Sequence, residues 1–152
     1  MSVTFNQQYE YSQKDINFLQ KYVSVYGITS EFKDNSLPKD SICYQLQVND
    51  STVGFLLLTP KDVNYSIEFE IAVGIYDECQ NKSYLKESLI ELIKNMNSYI
   101  PKNDKDRVTL SVIVKRDNPS YEKIRHVLTS QEIDLWQHSS DDEKEILFNR
   151  TF

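Results

Sequence analysis

The sequence predicts one α+β domain built around a largely antiparallel sheet. Three observations lead there. Segments of alternating apolar and polar residues recur through the chain, which is the period of half-buried strands. Between them lie three stretches whose apolar residues recur at helical spacing. The 152 residues suit a single domain with a core of its own, over 1–152.

The elements follow in order. Residues 3–10 read as a short strand. Ser12 with Asp15 three residues on has capping-box spacing, and Ile16, Leu19, Val23 and Tyr26 continue a helix that Gly27 is placed to end. Residues 30–39, polar and with Pro38, read as loop. Ile42, Tyr44, Leu46 and Val48 alternate as a strand, Asn49-Asp50 turns, and residues 52–59 run back as a more buried strand that Pro60-Lys61-Asp62 ends. Residues 66–75 form the strongest strand. Ile67, Phe69, Ile71, Val73 and Ile75 share one face, and Glu68, Glu70, Ala72 and Gly74 the other. That second face ends in the single alanine and one of three glycines, so it is small there, as where a ligand or another backbone comes close. A polar loop, 77–83, leads to an amphipathic helix marked by Leu85, Leu89, Leu92, Ile93 and Met96. After a charged linker, 101–106, Val108, Leu110, Val112 and Val114 alternate as a strand. Asn118-Pro119 opens a helix with proline in its first turn, and Ile124, Val127 and Leu128 are its apolar side. Residues 133–137 and 145–152 read as a closing hairpin.

Composition narrows the chemistry. Gly27, Gly54 and Gly74 lie too far apart for a dinucleotide-binding or Walker-type phosphate loop. Ten tyrosines and seven phenylalanines argue against disorder. A net charge of −6 offers no basic face for nucleic acid. No run approaches a membrane span, the amino-terminal residues lack signal-peptide order, and Cys43 and Cys79 form no metal or disulfide pattern, so a cytoplasmic setting is expected. No zinc or other metal site is visible in the spacing of His and Cys.

The order of elements resembles that of the GNAT N-acetyltransferase superfamily. The segment Glu70-Ile71-Ala72-Val73-Gly74-Ile75 followed by Tyr76 to Leu89 is similar to the strand, loop and helix of its ribosomal-protein N-terminal acetyltransferase branch. There E-I-G-Y-W-I-G-x-x-Y-x-G-K-G-Y-A-x-E-A-L fits without gaps. Val114-Lys115-Arg116-Asp117-Asn118-Pro119 resembles the V-x-x-x-N-x that leads from strand to helix. The resemblance, over about 42–130, implies a GNAT-like, mostly antiparallel twisted sheet with helices on both faces. It implies acetyl-CoA as co-substrate and an amine acceptor, a small molecule or a protein amine, and is compatible with a homodimer. Gln80, Asn81, Lys82, Ser83, Tyr84 and Leu85 occupy the loop whose backbone N–H groups hold the CoA diphosphate in the family. Val73, Gly74 and Ile75 would hold the acetyl carbonyl, and Asn118 would lie near the cofactor. Ser83 and Leu85 replace the family's glycine and Gly/Ala. Ser83 either bonds phosphate or caps the helix, and Leu85 either crowds the diphosphate or points into the core. Arg125 stands where the family carries an acid Tyr, with His126 beside it, and Thr129-Ser130 replaces Gly-Phe.

Glu70 is the candidate base that frees the amine, with Glu68 beside it; the alternative is that both are solvent-facing polar partners on a half-exposed strand. His126 could donate a proton or sit on the helix surface. The missing glycines and acid Tyr leave a second possibility, a GNAT-fold module that binds acyl-CoA or a protein without turnover.

Overall fold

The computed structural model describes residues 2–22, 35–61, 67–101, 107–138 and 144–152. In chain order the elements are β1 (Thr4–Gln8), α1 (Gln13–Lys21), β2 (Ile42–Val48), β3 (Ser51–Lys61), β4 (Ile67–Ile75), a 3₁₀ turn (Asp77–Cys79), α2 (Tyr84–Lys94), α3 (Met96–Tyr99), β5 (Val108–Lys115), α4 (Tyr121–Leu128), β6 (Trp136–His138) and β7 (Glu145–Thr151). The strands form one sheet in the order β1-β2-β3-β4-β5-β7-β6. Every neighbouring pair is antiparallel except β4 and β5. The mixed α+β architecture and mostly antiparallel sheet agree with the sequence.

Local chemistry explains most boundaries. Ser12 and Asp15 form the full capping box: the Ser12 hydroxyl accepts from the Asp15 N–H, and the Asp15 carboxylate accepts from the Ser12 N–H. Val23, Tyr26 and Gly27, expected to finish that helix, lie outside the described residues. Asn49 and Asp50 both have positive φ, the conformation of a two-residue hairpin turn whose twist matches its strands. Pro60 does not end β3, contrary to expectation. It pairs with Phe69 of β4, and its nitrogen faces the side where β2 has already run out at Ile42↔Leu58. A missing N–H costs nothing at such an edge. Pro119 likewise precedes α4 rather than opening it; Asn118 Oδ1 accepts from the Ser120 N–H, and Ser120 is the N-cap. The closing hairpin is shorter than expected, because Ile133 and Leu135 are buried ahead of β6 instead of paired in it.

Both faces of the sheet are covered, unequally. Leu46, Leu56, Leu58, Phe69, Ile71, Leu110 and Phe148 pack with Leu89 and Leu92 of α2 and Leu128 of α4. On the other face Cys43, Phe55 and Leu57 meet Ile16, Phe18 and Leu19 of α1. The parallel crossovers β4–α2–β5 and β5–α4–β6 run the same way across the sheet, so right-handedness puts both helices on one face. The small residues at the end of β4 serve this packing. A Cβ on Gly74 would lie 2.4 Å from Phe55 and 2.8 Å from Phe18. A Cβ on Gly54 would lie 2.0 Å from the Gly74 carbonyl oxygen. Side chains and backbone of the chain itself, rather than a ligand, fill the space.

α1 is anchored by a buried carboxylate. Asp15, 1% exposed, accepts from Gln8 Nε2 at 2.8 Å and from the Tyr76 hydroxyl, joining β1, α1 and the end of β4. Gln8 Nε2 also reaches Cys43 Sγ at 3.2 Å.

Two outcomes follow. Gly74→Ala should cost about 1–3 kcal/mol by overpacking against rings that can shift. Gly54→Ala should cost more, because its obstacle is backbone; urea denaturation gives the order. Burial also pushes the Cys43 thiol up to about 12 from an ordinary 9.0. The folded chain then holds a proton that the unfolded chain loses, so stability falls as pH rises from 9 toward 12. The denaturation midpoint should drop over that range, and less steeply in Cys43→Ala. At neutral pH a thiol reagent should label half-buried Cys79 quickly and Cys43 only on unfolding.

Candidate functional site

β4 and β5 are hydrogen-bonded partners only from Ile67↔Val108 to Glu70↔Ser111. Beyond that point β4 continues to Ile75 against β3, and β5 continues to Lys115 against β7. The two strands therefore part into a wedge that opens toward their carboxyl ends. The ladder fixes which backbone groups face it. The Tyr76 N–H donates to Val53 O on β3 at 2.9 Å, so by strand alternation Gly74 also points its N–H toward β3. The N–H groups of Val73 and Ile75 point the other way, into the wedge. Of the three residues expected at a carbonyl, Gly74 is thus turned aside.

Both crossover helices begin at the open end of the wedge. α2 starts at Tyr84, after Gln80, Asn81, Lys82 and Ser83. Asn81 and Ser83 both have left-handed backbone, φ 65° and 63°. Ser83 is the N-cap of α2 but gives no side-chain cap, so the first-turn N–H groups keep their capacity for an outside acceptor. Gln80 Nε2 bonds the Ile75 carbonyl at 3.1 Å. Lys82 is exposed, with no ionic partner among the described residues. Leu85 packs against the larger core and is turned away from the loop's outer side. Asp77 and Glu78 are tied to Lys21 and Lys14 of α1, and those ion pairs hold both carboxyls below the usual carboxylate range.

α4 begins beside the same opening. Lys123 Nζ donates to Asn81 Oδ1 at 2.7 Å, a link from α4 to the loop before α2 that the sequence did not disclose. Arg116, Asn118, Tyr121, Glu122, Arg125 and Gln137 line a cleft of about 580 Å³ on the outer side of α4. Arg125, at the position of the absent acid Tyr, is engaged by Gln137 at 3.2 Å and Glu122 at 3.5 Å. His126 is exposed in the last turn of α4. Because α4 runs antiparallel to β5, that turn lies toward the closed end of the wedge.

Glu70 and Ser111 are the last paired residues before the strands part. Glu70 carries an ion pair with Lys61 of β3, a partner the sequence reading missed although Lys61 lies opposite Glu68. Glu68 is half-buried on the same face and has no ionic partner among the described residues. No cluster of three or more His, Cys, Asp or Glu suited to a metal occurs among the described residues.

The left-handed Ser83 is strained, since a Cβ there meets the carbonyl and glycine is the residue that fits. Ser83→Gly should raise stability by about 1 kcal/mol, visible as a higher Tm, with no change in the α2 core.

No protein-family model and no curated protein matches the chain. Solved structures do match it. An acetyltransferase from Bacillus subtilis in complex with CoA has a TM-score of 0.63 at 10% identity, over 97% of this chain and 97% of that one. A GNAT family acetyltransferase from Elizabethkingia anophelis with acetyl-CoA bound has 0.61 at 12%, over 99% of each. Mutant forms of the spermidine/spermine N-acetyltransferase SpeG from Vibrio cholerae have 0.60 at 12%, over 99% of this chain and 94% of that one. Likeness at these identities is likeness of fold, and the chain has the fold of the GNAT acetyltransferases.

Proposed function

We propose that the chain is an acetyl-CoA-dependent N-acetyltransferase that acts on a primary amine. The observation that carries this is the wedge between β4 and β5. Its wall presents the N–H groups of Val73 and Ile75, and its mouth meets the uncapped start of α2. A thioester carbonyl suits the first pair of donors. A diphosphate suits the second set, with Lys82 and Lys123 adding positive charge. Structures of this fold that hold CoA or acetyl-CoA support the assignment, and the polyamine acetyltransferase of the same fold supports an amine acceptor.

In this mechanism Glu70 accepts a proton from the substrate ammonium, directly or through water, and Glu68 helps hold the cation. The freed nitrogen attacks the thioester carbon. Negative charge gathers on the carbonyl oxygen, where the Val73 and Ile75 N–H groups stabilise it. The nitrogen, cationic once the new bond has formed, gives its second proton to solvent; the C–S bond breaks, the acetyl group stays on nitrogen as a neutral amide, and the thiolate leaves. Thiols ionise near ~8.5, so the thiolate leaves readily and solvent can supply its proton. His126, which lies toward the closed end of the wedge, and the engaged Arg125 are not required. Asn118 serves by shaping the start of α4 rather than by touching the reacting atoms. Free Cys43 and Cys79 fit a cytoplasmic location.

One observation favours a second reading. The Lys61–Glu70 ion pair occupies the proposed base, as expected of a module that binds acyl-CoA without turnover. Thermal denaturation with acetyl-CoA separates the cases. Saturable stabilisation of about 2.7 kcal/mol at a hundredfold excess over Kd is expected under both, and its absence at millimolar ligand would sink both. Release of thiol with an amine panel is expected only of the enzyme. Glu70→Gln should then lower kcat about a hundredfold while leaving acetyl-CoA affinity within about twofold; unchanged kcat removes Glu70 from the reaction.

A further inference from the structure

Three consecutive residues past the end of β4 are each tied to α1 or to its C-cap, Tyr22. The Tyr76 hydroxyl donates to Asp15 Oδ1. Asp77 accepts from Lys21 and, at 2.5 Å, from the Tyr22 hydroxyl, and Glu78 accepts from Lys14. Lys14 and Lys21 stand at opposite ends of α1, so the ties are spread over about 10 Å of helix. Contacts spread in this way hold a segment against rotation as well as translation. They differ in kind. Lys14, Lys21 and their carboxylates are exposed, and such pairs add little stability. The Asp15–Tyr76 bond is buried, with Asp15 1% and Tyr76 3% exposed. Asp15 divides its oxygens between two tasks. Oδ2 accepts from Gln8 Nε2 at 2.8 Å and from the Ser12 N–H at 3.0 Å, while Oδ1 accepts from Tyr76. Capping α1 thus engages one oxygen and leaves the other for Tyr76. Burial, and after it the Asp15 bond, push the Tyr76 hydroxyl well above its ordinary 10.0, so it remains a donor at neutral pH.

The bond holds the last residue of the wedge wall from behind. Ile75 stands at the end of the β3 ladder, opposite Gly54, and the Tyr76 N–H, bonded to Val53 O at 2.9 Å, is the next contact with β3. Toward β5 the ladder has already stopped at Glu70↔Ser111. A strand end paired along one edge is the kind of segment that frays. In an antiparallel ladder the N–H and C=O of one residue face the same edge. The Ile75 carbonyl therefore also faces the wedge, where Gln80 Nε2 occupies it at 3.1 Å. The Ile75 N–H is then the group that this residue directs at a thioester oxygen.

Resting on the acetyl transfer proposed above, we infer that Asp15 and Tyr76 are positioning residues for the reaction: α1, through the Asp15–Tyr76 bond, sets the direction of the Ile75 N–H toward the acetyl carbonyl. Neither side chain touches the substrate. A donor that must meet developing charge gains from being fixed beforehand, and this bond fixes it from outside the wedge. The pairs of Lys14 and Lys21 steady the same segment from the solvent side.

The readout is the thioester carbonyl of bound acetyl-CoA, labelled with carbon-13 and followed by difference infrared spectroscopy, which needs no amine. In the native chain the band should lie below its position in free acetyl-CoA, because a directed N–H donor weakens the C=O bond. Tyr76→Phe keeps the ring, which Phe18 meets edge-on with 6.3 Å between centroids, and removes the hydroxyl. Its band should move back toward the free position. Its preference for acetyl-CoA over CoA should fall by up to about tenfold, the worth of one hydrogen bond, with affinity for CoA itself unchanged. Lys14→Met combined with Lys21→Met, at exposed sites that leave the buried bond in place, should move the band the same way and less far. An unmoved band in folded Tyr76→Phe overturns the inference even where Tm falls, since the bond is then structural alone. If Tyr76→Phe fails to fold, an unmoved band in the double lysine variant overturns it instead. Equal losses of affinity for CoA and acetyl-CoA also overturn it, because they place the effect at the loop before α2. The native chain tests the reading beneath: no binding of acetyl-CoA, or a band at the free position, removes the transferase and the inference together.

Discussion

Everything in the candidate site depends on the parallel pairing of β4 and β5 stopping at Glu70↔Ser111. A sheet edge is normally a liability that proteins cover or pair. Here the edge lies inside the sheet, between two strands that are each paired on the outer side. The wedge thus gains directed N–H groups without exposing the molecule to strand addition. Because both flanking crossovers are parallel, two helix starts also converge on the open end. One interruption of one ladder supplies the donors, the positive helix ends and the opening together.

Such an opening survives only if its walls are held from behind. β4 is held by its tight approach to β3, where Gly54 and Gly74 let the backbones meet and Phe55 and Phe18 lock across them. Asp15 holds the last residue of the wall, Tyr76, to α1 and β1. A buried carboxylate is costly unless its acceptor sites are filled, and Asp15 is met by three donors. The surface pairs of Asp77 and Glu78 with α1 add orientation more than stability, since exposed ion pairs are worth about 0–1 kcal/mol. Gly54 and Gly74 stand in this wall, and the loop before α2 is left to Asn81 and Ser83, which take the left-handed backbone at a modest cost.

Much of this was legible in the sequence because periodicity is a local signal. The strands around Ile42, Phe69 and Leu110 and the helix of Leu89 and Leu92 announce themselves by spacing alone, and Ser12 with Asp15 marks a helix start that the structure forms in full. Pro60 misled because whether a proline breaks a strand depends on what lies beside its nitrogen, a fact about β2 rather than about neighbours in sequence. Gly74 misled in the same way: its smallness pointed to a close approach, but only the fold shows that Phe18 and Phe55 are what approach. Lys61 and Lys123 carried no signal at all. Their partners, Glu70 and Asn81, are set by strand register and by helix placement, and neither pattern can be read along the chain. Residues such as Glu68, Glu70 and Asn118 were legible as candidates through resemblance.

The Lys61–Glu70 pair looks at first like an argument against catalysis, yet its setting points the other way. Both side chains are partly exposed, 41% for Lys61 and 28% for Glu70, so water screens their attraction. Such a pair contributes roughly 0–1 kcal/mol. In the proposed acetyl transfer, a substrate ammonium held at the same time by Glu68 would meet two carboxylates where Lys61 meets one, and would leave Lys61 free to return to water along its flexible stem. Displacement is therefore a cheap exchange of one cation for another. Until that exchange the ion pair keeps the Glu70 carboxylate extended along the face toward β3, at the apex where the strands divide.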